Sequence, residues 1–213
     1  MGILKIPEWI IKFTYVNLLW YCFTVVGLFF FGFFPATMAL FAIIRKWIMG
    51  ETDIPTFRTF WHYYKKDFVK SNVVGFMLTI SSAMLYLDYV LLEQARGLIF
   101  NSLFALLLPI IFMFIFTICY SFSVFVHYNF RPVKVIHQAF LVMIVSPLST
   151  LMMIAGMVIL YFSLRGFPGL VVLFGPSLLA LLVMYSSYLS FENILNRKQK
   201  DSVEVGSAQD HHS

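Results

Sequence analysis

The sequence predicts an all-α polytopic membrane bundle of about five transmembrane helices, each needing about 20 apolar residues, and three observations carry that prediction. Of 213 residues, 61% are hydrophobic and 12% charged, with a mean hydropathy of +0.86; a soluble domain is about 45–50% apolar and about 25% charged. The charges are also segregated: residues 13–44, 71–87, 97–130, 135–164 and 166–191 contain no Asp, Glu, Lys or Arg. These windows are continuously apolar, without the alternation in short segments that marks a membrane β-barrel, so the spans are helical.

Taken in order, the expected spans are Phe13 to Phe34, Ser71 to Leu92 (which runs past Asp88), Ser102 to Val126, Ala139 to Phe162 and Leu170 to Leu189. Residues 1–196 form one helical membrane domain, and the polar tail 197–213 is expected to be disordered, since it cannot bury enough apolar surface to offset its ordering. The first apolar run is not followed by a small-x-small cleavage site, so the first span is expected to stay. Pro109, Pro147 and Pro176 fall inside the last three spans and can kink or break them. Broken helices line some transporter sites, but no inverted repeat pairs these segments. Cys22 and Cys119 lie within spans and read as free thiols behaving as small hydrophobes. Ser186 and Ser190 make one small-xxx-small step that allows close helix approach.

Between the first two spans, residues 35–70 collect Arg45, Lys46, Arg58, Lys65, Lys66 and Lys70. Pro35 suits the first turn of a helix and Gly50 its end. A second helix opens at Pro55 or Thr56, with Phe57, Phe60, Trp61, Tyr64 and Phe68 on one flank at helical spacing and Arg58, His62, Lys65 and Lys66 opposite. Two topologies follow. Five crossings with the N-terminus outside leave Lys5, Lys12, Arg96 and Arg165 as the external bases, in keeping with the positive-inside rule. If instead the chain turns at Gly32 to Pro35 and Ala36 to Met49 re-enters as a short helix, only Arg96 and Arg165 stay outside. Both make the 35–70 hairpin and the C-terminus cytoplasmic. Arg45, Lys46, Trp47, Arg58, Trp61, Lys65 and Lys66 are therefore the candidate contacts, either for anionic headgroups or for a membrane or cytoplasmic protein partner. A short helix of this kind is weak grounds for nucleic-acid binding, which is not expected.

Asn17-Leu18-Leu19-Trp20, Phe34-Pro35-Ala36-Thr37-Met38-Ala39-Leu40, Arg45-Lys46 and the Phe57 to Phe68 helix together resemble the YesL-like family, uncharacterised multi-pass membrane proteins of Bacillus-type bacteria. The resemblance covers about the first 90 residues and extends beyond them only in hydropathy. It implies a cell-membrane protein with a link to carbohydrate uptake and utilisation genes, and it supplies no catalytic residues.

Nothing in the spans assembles a chemistry. A carboxylate at the bilayer centre costs about 2.5–3.5 kcal/mol, which singles out Asp88; with Tyr86, Tyr89 and Glu93 beside it, it reads as an interfacial group near the outer end of its span. His62, His127, His137, His211 and His212 show no metal-ligand spacing, so no metal or cofactor is expected. A membrane enzyme would need clustered polar groups at one depth, and none is expected here. The functional expectation is an accessory or regulatory membrane component, with a small solute transporter or channel subunit as the alternative.

Overall fold

The computed structural model describes residues 5–94, 98–128 and 130–210, with side chains over 7–93, 102–128 and 130–192; Arg96 and His211–His212 lie outside it. Eight helices and no strands occur among the described residues: α1 (Lys5–Val26), α2 (Phe30–Ile48), α3 (Thr56–Lys66), α4 (Phe68–Gln94), α5 (Leu98–His127), α6 (Pro132–Val145), α7 (Pro147–Arg165) and α8 (Pro168–Asp210). Six of them are long and apolar enough to cross a membrane, namely Pro7–Val26, Phe30–Ile48, Phe68–Glu93, Ser102–His127, Pro147–Arg165 and Pro168–Glu192.

The expected first span, 13–34, is two limbs of a helical hairpin. The chain turns at Gly27–Phe29, five residues earlier than the expected Gly32–Pro35, and the returning helix begins at Phe30 rather than Ala36. A pair of glycines decides the position. A Cβ on Gly27 would lie 2.2 Å from the Cα of Gly32, and one on Gly32 would lie 2.5 Å from the Thr24 carbonyl oxygen, so the two backbones touch. Leu28 and Phe29 both have a positive φ of 58°, rare for L-residues, and Phe29 with ψ −67° is the centre of a strained γ-turn closed by Phe30 N donating to Leu28 O at 2.7 Å. Hydrogen bonds from Gly27 to Phe23 at 3.1 Å and from Phe29 to Thr24 at 3.0 Å hold the turn. At the open end, Trp9 and Phe13 meet the Trp47 ring edge-on at 5.6 and 5.5 Å, which brings the start of α1 beside the end of α2.

Pro35 lies within α2 rather than in its first turn, and leaves the Phe31 carbonyl without its helical donor. Asn72 of α4 fills the gap, its Nδ2 donating to Phe31 O at 3.0 Å. From there α2 runs through the middle of the molecule, touching α1, α3, α4, α5 and α8. Every residue from Pro35 to Ile44 is buried. Ala36, Ala39 and Ala42 leave room for that many neighbours, as small residues do where helices pack without help from water.

Around this axis α5 pairs with α6 and α7 with α8. The expected fourth span, 139–162, is accordingly two helices. Ser146, with φ −121° and ψ 63°, stands outside the helical region, as a residue before proline is driven to do, and the break at Pro147 frees α6 for α5 and α7 for α8. Phe41 stacks on Phe122 at 5.4 Å and the His127 ring lies 4.6 Å from Phe191. One end of the bundle thus gathers the start of α1, the 49–55 loop, the end of α5 and the polar end of α8; the opposite end holds the end of α4, the start of α5 and the α7–α8 connection. α8 continues as helical backbone to Asp210 through most of the tail expected to be disordered, since extending a formed helix fixes one residue per added hydrogen bond.

Candidate basic and aromatic surface

α3 divides along its length, though not quite where its spacing predicts, because Phe57 and Trp61 of the expected aromatic flank are exposed beside the bases. Phe60 and Tyr64 are buried, and with Trp61 they surround Phe23 of α1 at ring distances of 5.0–5.4 Å. Tyr64 Oη donates to Phe23 O at 3.2 Å, and burial pushes the Tyr64 phenol above its ordinary pKa, so it remains a donor at neutral pH. α3 is therefore bolted to the α1–α2 hairpin by its aromatic flank. The other flank is open: Phe57, Arg58, Trp61, His62, Lys65 and Lys66 line a shallow groove. Lys65 Nζ sits 5.0 Å over the Trp61 ring, a cation–π contact that contributes about 0.5–1 kcal/mol at an exposed position.

The structure brings together Arg58, Trp61, Lys65 and Lys66 and separates them from the other candidates. Trp47 is buried between Trp9 and Phe13 and offers nothing to a partner. Lys46, in the last turn of α2, bonds Glu51 of the loop that follows at 2.5 Å. Arg45 is half-buried, and its Nε donates to His127 Nδ1 at 3.4 Å, which places the proton of a neutral His127 on Nε2. Asp88 is exposed on α4, toward the end opposite α3. Cys22 and Cys119 are free thiols. Among the described residues no group of three or more His, Cys, Asp or Glu side chains could hold a metal ion.

Two polar arrangements are absent from the sequence-level picture. One is a cavity where the α3–α4 junction meets the end of α5, lined by Tyr63, Lys66, Asp67, Lys70, His127 and Tyr128; its residues come from segments some sixty positions apart in the chain, as counted along the sequence. The other is an opened hydrogen-bond ladder in α8. Asn17 Nδ2 donates to Leu173 O and to Ser177 Oγ, and Ser177 N donates to Asn17 Oδ1 at 3.0 Å. Val172 O, freed by Pro176, accepts from Tyr21 Oη at 3.1 Å. Trp20 of the same motif turns the other way, donating from Nε1 to Thr37 of α2 at 3.1 Å. The Asn17 to Trp20 motif thus ties α1 to both α8 and α2.

Proteins of Bacillus subtilis (strain 168) share this sequence over nearly its whole length. It is 35% identical to the uncharacterized protein YteU over 202 residues, 93% of this chain and 90% of that one. Identity to the uncharacterized protein YesV is 32% over 87% of this chain and 89% of YesV. For the uncharacterized protein YesL it is 30% over 94% of each. No solved structure matches. The hairpin, α3 and most of α4, residues 13–89, match the family described as protein of unknown function DUF624, and the chain belongs to that family.

Proposed function

We propose that this chain is an integral protein of the cell membrane with an accessory or regulatory role, both termini in the cytoplasm, its basic end held at anionic headgroups and the open flank of α3 offered to a membrane or cytoplasmic protein partner. Carbohydrate uptake is the setting that the YesL-like resemblance suggests. The observation that carries the reading is the division of α3. A helix anchored by lipid alone would spend its aromatic flank on the bilayer, whereas here Phe60 and Tyr64 are spent on Phe23 and the hairpin turn. The basic flank is thereby fixed in place before any partner arrives, which lowers the ordering cost of binding. Charge supports the orientation: all of the fifteen Lys and Arg except Arg96 and Arg165 belong to segments at the α3 end, as the positive-inside rule requires of a cytoplasmic face.

Crosslinking pull-down from native membranes tests the reading. The double variant Arg58→Glu, Lys65→Glu, which leaves Lys66 in place, should insert as the wild type does and lose its co-purifying partner. Retention of the same partner at the same yield would sink the proposal.

A small solute transporter or channel is the second reading, favoured by the opened ladder at Asn17, Pro176 and Ser177, because discontinuous helices serve as solute sites in some transporters. It ranks second because Asn17 and Tyr21 already satisfy the groups that the break releases. Solute flux through the purified protein in liposomes would reverse the ranking.

A further inference from the structure

The cavity at the α3–α4 junction has a volume of about 170 Å³. Its wall carries two ammonium groups, Lys66 and Lys70, against one carboxylate, Asp67, and two phenols, Tyr63 and Tyr128. Burial pushes the Tyr128 phenol up, so its hydroxyl is available as a donor at neutral pH. Lys70 Nζ is steered by the Phe125 ring, 5.2 Å away, and Arg45 adds a third positive charge behind His127. The floor is apolar, made by Met38 and Ala42 of α2.

We propose that this cavity binds a phosphate ester, and that the ester is the headgroup of an anionic phospholipid. Compact ammonium charges with hydroxyl donors between them suit a tetrahedral oxyanion, whose acceptors point in several directions, better than they suit a planar carboxylate. At ~10–15 Å³ for each water-sized group, the volume admits a phosphate together with a glycerol-sized substituent, which the apolar floor can accept. Depth selects the lipid source. The charge-free run of α4 starts at Ser71, immediately after Lys70, so the cavity mouth sits where headgroup gives way to hydrocarbon. The site rests on the proposed membrane placement for that depth; it shares Lys66 with the α3 groove but does not require the partner proposed there.

The purified full-length chain in neutral detergent can be titrated with phosphatidylglycerol or phosphatidylcholine and bound lipid counted by native mass spectrometry, with glycerol 3-phosphate and inorganic phosphate as competitors. Phosphatidylglycerol should be retained about tenfold over phosphatidylcholine, and Lys70→Gln should remove most of that preference, as loss of one charge-assisted hydrogen bond does. Tyr63→Phe, which changes one hydroxyl and leaves the fold intact, should weaken retention severalfold, whereas Arg58→Glu, outside the cavity, should not. Equal retention of the two lipids, or unchanged retention in both Lys70→Gln and Tyr63→Phe, would overturn the site. Displacement of the lipid by glycerol 3-phosphate at matching concentration would keep the phosphate chemistry and overturn the lipid source. Because the readout uses purified chain and the α3 test uses native membranes, the two proposals fail separately.

Discussion

Asn17 carries the donor and acceptor of a peptide group on a short side chain, which is why it can stand inside the ladder of α8. The helix lacks a usable N–H at Pro176, and Ser177 N is turned from Leu173 O to Asn17 Oδ1, while Asn17 Nδ2 takes Leu173 O. Asn17→Ala would leave a buried donor and a buried acceptor unmet, at a cost of roughly 1–3 kcal/mol each. The expected outcome is a clear fall in the thermal unfolding midpoint of the purified protein, with Asn17→Leu no better despite its similar volume, because shape is not what is lost. A wild-type midpoint for both would mean that water or a rearranged α8 satisfies these groups. Pro35 and Asn72 repeat the same logic in α2. In each helix a proline frees a carbonyl and a polar side chain from a distant helix answers it, Tyr21 at Val172 O in α8 and Asn72 at Phe31 O in α2.

Although each limb of the α1–α2 hairpin is long enough to cross over its whole length, its charge-free part is short. Counting from Lys12 or back from Arg45, each limb offers roughly 15 charge-free residues, about 22 Å at 1.5 Å per residue, against a hydrocarbon layer of about 30 Å. Packing makes the tip shallower still. It is level with Phe76, whose ring lies 5.9 Å from that of Phe31, about 8 Å along α4 from Ser71 where its charge-free run begins, while α4 continues to Gln94. The tip is also strongly apolar, with Leu28 76%, Phe29 64% and Phe30 80% exposed. This favours a hairpin that enters from the basic side, ends within the layer and returns. In a cysteine-free background, a cysteine at Leu28 or Phe29 should resist a membrane-impermeant thiol reagent from both sides. One at Phe167, in the α7–α8 connection, should react from outside and one at Gly50 only after permeabilisation. Labelling of the tip from outside at the Phe167 rate would establish a full crossing instead.

Across the whole molecule, hairpin geometry, helix pairing and charge agree on one arrangement: the N-terminal end of α1, the α3 surface, the cavity and the polar end of α8 share a face. Fluorescent-protein fusions at either terminus should therefore both be bright in the cytoplasm, and an N-terminal epitope reachable on intact cells would contradict the arrangement. The helical class, the spans that became α4 and α5, the segregation of charge and the buried Phe60 and Tyr64 side of α3 were legible in the linear sequence, because transfer to lipid and helical periodicity depend on local composition. The turn at Gly27 was not, since the window 13–44 has no charge to mark it and the decision belongs to Gly27 meeting Gly32 through space. The division of 139–162 was legible only as a possible break at Pro147; that its halves would go to α5 and to α8 was not, nor was the cavity, whose lysines and tyrosines meet across segments far apart in the chain. The amino-acid sequence by itself determined that this protein is a basic-ended bundle of apolar helices. Only the tertiary structure decided where those helices turn and which polar groups meet, because backbone contact at a glycine pair and the pairing of a proline-freed carbonyl depend on neighbours in space.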